Sequence, residues 1–292
     1  MKKALAELHA AVLLAGATGL FGRLLSLKEI PLVWYRLLFT AILLVPILFL
    51  SGRMEKVTPK AATSMGWAGM LLGIHWVLFY ASIRASNVSI GVLCYALIGF
   101  YTALLDPLVN HKEFVWKELL FSAITLLGLL LIYSFDARYR LGIALGAVSS
   151  LVASFFSMFT KRNTVRYDYQ SSTFVLYEML GGLICLTIAL PIFRGMHPEA
   201  AIIPGARDII LILILSTVCT IGQYLLQFEA LKKVSAFTVN LTYNLEPVYS
   251  IIFAMILFGE ARELNFSFYA GLTLIILSVL LQNGSVLKRK SR

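Results

Sequence analysis

Long apolar stretches alternate with short polar segments along the whole chain. Runs bounded by charges, Pro or Gly fall at 4–22, 32–50, 65–83, 88–109, 117–135, 141–160, 172–193, 208–231, 236–258 and 266–283. Each holds roughly 20 residues, enough for a helix to cross a hydrocarbon layer ~30 Å thick. The short alternating strands that a barrel needs are absent. The pattern therefore predicts an all-α polytopic membrane protein of ten transmembrane helices. Lys2 and Lys3 ahead of the first run resemble the start of a signal peptide. No small-x-small cleavage site follows cleanly, so the run is read as a retained helix carrying Glu7 and His9.

Composition agrees. Hydrophobic residues make up 59% of the 292, and charged residues only 14%, against roughly 25% in soluble domains. Mean hydropathy is +0.84. In water this much apolar surface would remain uncovered. The net charge of +10 comes in short clusters between apolar runs, which points to topology signals and lipid headgroup contacts and away from nucleic acid. With the N-terminus placed inside, Lys and Arg on that side outnumber those on the other roughly two to one. Both termini are then cytoplasmic, as expected of a bacterial-type inner (plasma) membrane protein, and the helix number is even. Cys94, Cys185 and Cys219 lie far apart inside apolar runs and read as small buried hydrophobes, with no metal site.

A faint duplication follows. Phe79, Ala81 and Ser86 after the third run recur as Phe228, Ala230 and Ser235 after the eighth. Tyr95 and Tyr101 recur as Tyr243 and Tyr249 after a slip of one residue, and Glu113 as Glu260 after another. The division is into five-helix halves, 1–135 and 136–292. An odd-numbered repeat enters the membrane in opposite senses, so the halves form an inverted-topology pair.

Polar groups at membrane depth are the functional candidates, because each is costly there. His75, Trp76 and Tyr80 lie mid-way along the third run, with Trp76 and Tyr80 one turn apart. They read as a cavity wall, or else as a satisfied core histidine with packed aromatics. Tyr95, Gly99, Thr102 and Asp106 make one stripe on a continuous fourth helix. Thr217, Thr220, Tyr224 and Gln227 make another on the eighth, with Gln223 beside them, and both must face protein or water. Asn240 and Asn244 add polar groups to the ninth run, where Thr242, Glu246, Tyr249 and Ser250 share a face. Pro247 in mid-helix would free a backbone carbonyl beside Glu246. Glu246 is the candidate for loading and releasing a proton, or else a brace between helices. Arg36 reads as a cation snorkelling to headgroups or as a partner for a substrate carboxylate. Gly142, Gly146, Ser150, Ala153, Ser154 and Ser157 read mainly as tight helix packing. There is no HExxH, GxSxG, P-loop or dinucleotide fingerprint, so no catalytic residues and no cofactor are expected.

In the second half, LLQFEALKKVSAFTVNLTYNLEPVYSIIFAMILFGEAREL resembles the helix 8–helix 9 signature of the EamA branch of the drug/metabolite transporter superfamily. Glu246-Pro247 and Gly259-Glu260 match its mid-helix proline and helix-end Gly-Glu. PLVWYRLLF resembles its second helix, with Arg36 at the usual arginine. In the first half Gly99-Phe100 stands where that family has a proline, Asp106-Pro107 follows later, and Lys112-Glu113 replaces Gly-Glu. The resemblance implies a carrier whose helices 1, 3, 4, 6, 8 and 9 line a central cavity, commonly for efflux of amino acids or other small metabolites. The expectation is thus a secondary transporter working by alternating access on a small-molecule substrate. His75, Trp76, Tyr80, Tyr95, Thr102, Gln223, Tyr224, Asn240, Tyr243, Asn244 and Glu246 would line its cavity. A passive channel or sensor is the alternative, and an intramembrane enzyme built on His75 and Glu246 a more remote one.

Overall fold

The computed structural model describes residues 2–110, 114–135, 137–226, 243 and 245–290. Each predicted run coincides with helical structure there, and no strand occurs among the described residues. Helix α1 (Lys2–Ala17) passes through a 3-10 turn at Thr18–Leu20 into the short α2 (Phe21–Leu24). Next come α3 (Glu29–Leu50), α4 (Pro59–Ala85), α5 (Val88–Cys94), α6 (Leu97–Asn110) and α7 (Trp116–Phe135). The rest are α8 (Arg140–Arg166), α9 (Ser171–Met196), α10 (Ala206–Ser216), α11 (Glu246–Phe258) and α12 (Phe266–Lys290). Six helical spans among the described residues are long and apolar enough to cross a membrane, and shorter apolar stretches lie at Ser122–Ser134, Glu246–Phe258 and Phe266–Ser278.

Local chemistry sets the boundaries. The Thr58 hydroxyl accepts the Ala61 N–H at the start of α4, with Pro59 in the first turn, where its missing N–H leaves no bond unmade. Asn87 Oδ1 accepts the Ile90 N–H at 2.9 Å and starts α5. Gly259 ends α11 in the left-handed region at φ +67°, where a side chain would be strained.

Three features differ from the expectation. The fourth run is two helices, broken at Tyr95–Ala96 by i→i+3 bonds such as Tyr95 N–H to Val92 O. Its polar stripe is therefore not continuous. The eighth run passes through a π-helical turn at Thr217–Gly222, which shifts the register of the residues beyond it. Pro247 lies in the first turn of α11, which begins at Glu246, and not in the middle of that helix. Glu113, Gln227, Phe228, Glu229, Ala230, Ser235, Asn240, Thr242 and Asn244 fall outside the described residues.

Helix α4 occupies the centre, packed along α8 and α9. Small residues make this possible. A Cβ at Gly69 would collide with the Glu178 backbone, and one at Gly181 with that of Gly66. The same close approach joins α7 and α12 at Gly128 and Gly271. Counterpart helices of the two halves meet: α3 with α9, α5 with α11, and α7 with α12. Two of these pairs are visibly antiparallel. Trp34 bonds Thr187 while Leu37 reaches Gly182. Thr125 bonds Ser278 while Gly128 meets Gly271. The packing of α4 on α9 is matched by that of α10 on α3.

Alternate connections collect at opposite ends. At one end Ser26 bonds Asp208, Lys28 pairs with Glu199, and Arg84 bonds Leu27 O and pairs with Glu29. There too Val88 donates to Glu260, Tyr139 donates to Glu263 O, and Arg23 spans Glu260 and Glu263. Glu55, Thr58, Ser64, Asn163, Gln170 and Thr173 meet at the other. Large apolar side chains such as Leu50, Ile188, Ile192, Ile256 and Leu257 cover the outside, a surface suited to lipid.

Candidate functional site

Arg36 is the only formally charged residue within α3 after Glu29. It is buried, with 3% of its surface exposed, which removes the snorkelling reading. Its Nη1 donates to the Tyr80 hydroxyl at 3.1 Å, and its Nε and Nη2 both donate to Thr220 Oγ1 at 3.3 and 3.1 Å. The guanidinium carbon lies 3.6 Å from the centre of the Trp76 ring, a cation–π arrangement. Both hydroxyls give their own protons elsewhere. Tyr80 donates to Thr18 O at 3.3 Å, and Thr220 donates to Leu215 O at 2.8 Å. That second bond reaches back five residues, as the π turn allows. Each hydroxyl therefore offers Arg36 a lone pair and no charge. No carboxylate among the described residues forms an ion pair with Arg36.

Arg36 faces a cavity of about 330 Å³ between the two halves. Thr18, His75, Trp76, Phe79 and Tyr95 come to its wall from the first half, and Phe156, Ser157, Gln223, Tyr224, Tyr243 and Glu246 from the second. His75 on α4, Tyr95 at the break between α5 and α6, Tyr243 ahead of α11 and Glu246 at its start thus converge on one space. His75 Nδ1 lies 2.8 Å from Ser149 Oγ, and its ring centre lies 5.7 Å from that of Tyr95. Gln223 Nε2 donates to the Tyr243 hydroxyl at 3.1 Å, which ties the end of α10 to the residues leading into α11. Glu246 has no hydrogen-bond or ion-pair partner among the described residues, so the brace reading finds no partner there.

Of the expected wall residues, His75, Trp76, Tyr95, Gln223, Tyr224, Tyr243 and Glu246 are brought together. Tyr80 is a correction: it is fully buried behind the wall, holding Arg36. Thr102 is another. It is half-buried on α6 and not part of the wall, because the break at Tyr95–Ala96 turns α6 out of the register of α5. Asn240 and Asn244 lie outside the described residues. Thr18, Phe79, Phe156 and Ser157 were not expected there. Ser157 stood out only as part of a packing stripe and Phe79 only in the duplication, and Thr18 and Phe156 resemble their packing neighbours. Arg36 did carry a signal, as a lone cation in a long apolar run faces the bundle interior.

The small residues of α8 mostly pack. Gly142 abuts Ser86, Gly146 abuts Cys94, and Ser150 donates to Cys94 O at 2.8 Å, whereas Ala153 and Ser157 reach the cavity. Glu178 accepts the Thr160 hydroxyl at 2.6 Å away from the cavity wall. At the Arg23 end Glu260 is fully buried. Its carboxylate accepts the Val88 and Ser89 N–H groups at 2.9 Å, the Ser89 hydroxyl at 2.6 Å and Arg23 Nη1 at 3.1 Å. Helix α11 of the second half is thereby fastened to α5 of the first.

An integral membrane protein whose halves wall a polar cavity at depth has the form of a small-molecule transporter. The sequence profile of the EamA-like transporter family matches residues 4–134 and again 140–284, and the chain belongs to that family. A search of curated proteins finds no match. A solved crystal structure, described only as that of a protein, is similar with a TM-score of 0.61 at 14% identity, over 96% of this chain and 97% of its own. That likeness concerns the fold.

Proposed function

We propose that the chain is a secondary carrier that exports amino acids or similar small metabolites by alternating access. Its halves, 1–135 and 136–292, are inverted five-helix repeats, giving ten spans with both termini in the cytoplasm of a bacterial-type cell. The observation that carries this reading is the cavity itself, walled from both halves and holding Arg36 and Glu246. The antiparallel pairing of α3 with α9 and of α7 with α12 supports the inversion. At about 330 Å³ the cavity is at the lower end of small-molecule sites and suits one metabolite at a time. Opening towards the Arg23 end would require Glu260 to leave α5.

Purified protein in liposomes tests the proposal. Saturable counterflow of a labelled amino acid or nucleoside is the expected result. Flux that never saturates would indicate a channel, and turnover of a lipid or peptide in detergent an enzyme. Coupling to protons through Glu246 is read separately. An inward proton gradient should accelerate export by the native protein and leave Glu246→Gln indifferent. Native transport blind to the gradient would remove that step.

A further inference from the structure

We propose that a smaller cavity at the Arg23 end is a second binding site, built for a small oxyanion: a carboxylate or phosphate group held by Arg84, Arg23 and the side-chain amide of Asn87. This goes beyond the carrier reading and does not depend on it. The space holds about 300 Å³, and Gly22, Arg23, Ile83, Arg84, Asn87 and Glu263 stand on its wall. It shares no wall residue with the central cavity. Asn87 gives the clearest sign of a ligand. It is 3% exposed. Its Oδ1 accepts the Ile90 N–H at 2.9 Å, which fixes the other end of the amide as the donor. That Nδ2 is buried and has no partner. A buried donor without an acceptor is destabilising, and none of the described residues supplies one.

The two arginines supply the charge. Arg84 is held by backbone: its Nη2 donates to Leu25 O at 3.0 Å and to Leu27 O, and its Nε lies 3.4 Å from Glu29. A guanidinium has five N–H donors, so the pair on Nη1 stays open. Arg23 Nη1 donates to Glu260 at 3.1 Å, while its Nη2 is 3.9 Å from Glu263, too far for a hydrogen bond. The Ser86 hydroxyl, also on the wall, gives its proton to Ser82 O. Glu263 is the one carboxylate on that wall, and with its side chain 45% exposed solvent screens it. Glu260 and Glu29 stand off the wall, and Glu260 is taken up by α5 as well as by Arg23. Three side chains, two of them cations, thus bring open donors to one space. An oxyanion offers several lone pairs on a single small group and fits the guanidinium fork. A cation would meet the two arginines, and an apolar ligand would leave Asn87 unpaired. An ion bonded to all three side chains would tie α2 to the corner between α4 and α5.

Binding is read as heat stabilisation of the purified full-length protein in lipid-free detergent. Millimolar phosphate or acetate should raise the unfolding midpoint by about 2 to 4 °C relative to chloride at equal ionic strength. Asn87→Asp is the sharpest variant. Aspartate caps helices as well as asparagine does, so α5 keeps its start, but a carboxylate replaces the open donor. The shift should vanish. Asn87→Ser, which also caps, should reduce it, and Arg84→Gln should weaken the apparent affinity about tenfold. Phosphatidylglycerol is the second arm. If it stabilises the native protein but not Asn87→Asp, while free phosphate and acetate do nothing, the oxyanion is a lipid headgroup and the site stands. Equal shifts in native and Asn87→Asp protein overturn the site. So does a response to chloride that matches the oxyanions, or no response to any anion, lipid included. The comparison of anions on the native protein needs no variant, so a misfolded variant cannot hide the answer. None of these readings uses counterflow, so failure of the carrier assay leaves the site standing, and failure here leaves the carrier standing.

Discussion

At Arg36 the decisive fact is the direction in which two neighbouring hydroxyl protons point. Tyr80 and Thr220 accept from the guanidinium, which has no acceptor of its own, and give their own protons to Thr18 O and Leu215 O, so the hold on Arg36 and the ties to the backbone form together. Thr220→Val keeps the shape and removes the acceptor shared by Nε and Nη2. It should weaken substrate binding about fivefold to tenfold, from loss of a hydrogen bond to a charged group. Thr220→Ser should restore most of the affinity, and heat-stabilisation titrations with the metabolite that shows counterflow read both. Tyr80→Phe removes one acceptor and also the tie to Thr18, which is itself on the cavity wall. A comparable loss should follow, with no Tyr80 contact to substrate required.

Among elements, the π turn and the glycine seams matter most. The turn at Thr217–Gly222 carries the i−5 bond of Thr220 and sets the rotation at which Gln223 and Tyr224 enter the cavity. Inserting one alanine between Gly222 and Gln223, just past the turn, would rotate Gln223 and Tyr224 by about 100°. Transport should be lost while the protein still folds, as size-exclusion profiles would show. The seam between α4 and α9 behaves differently, because its backbones touch. Gly69→Val would drive a side chain into the Glu178 backbone and should cost about 3 kcal/mol or more. The midpoint of heat unfolding in detergent would fall sharply. Gly195→Ala, inside α9 with nothing within 4 Å, should leave it unchanged or raise it slightly.

For the whole molecule the question is which end yields. Glu260 gathers two backbone N–H groups, a hydroxyl and Arg23 at the junction of α5 and α11. Glu260→Gln keeps the size and removes the charge, weakening several charge-assisted bonds at once. It should shift the protein towards a state open at that end. A cysteine placed at Ser157, on the cavity wall, in a chain whose three native cysteines are replaced, reports the change. Labelling by an impermeant thiol reagent applied at the Arg23 end should rise severalfold in Glu260→Gln. Unchanged labelling would mean that this junction is a fixed brace.

The helical runs, the membrane setting, the family and the crowd of polar groups on the third, eighth and ninth runs were all legible in the sequence. These depend on local quantities: apolar length, charge placement and short motifs. Lipid enforces them strongly, since no backbone polar group can go unbonded there. What only the tertiary structure decided is where each polar group points. Regular helical spacing put Thr102 in line with Tyr95, and a break of two residues undid it. Spacing put Tyr80 on the wall, and the approach of α3 and α10 moved it behind Arg36. Arg36 itself looked at home in either lipid headgroups or a cavity. Its role follows from partners 44 and 184 residues away. Rotation of a helix about its axis and the identity of its distant neighbours are set by packing among all the helices at once, and no window of sequence contains them.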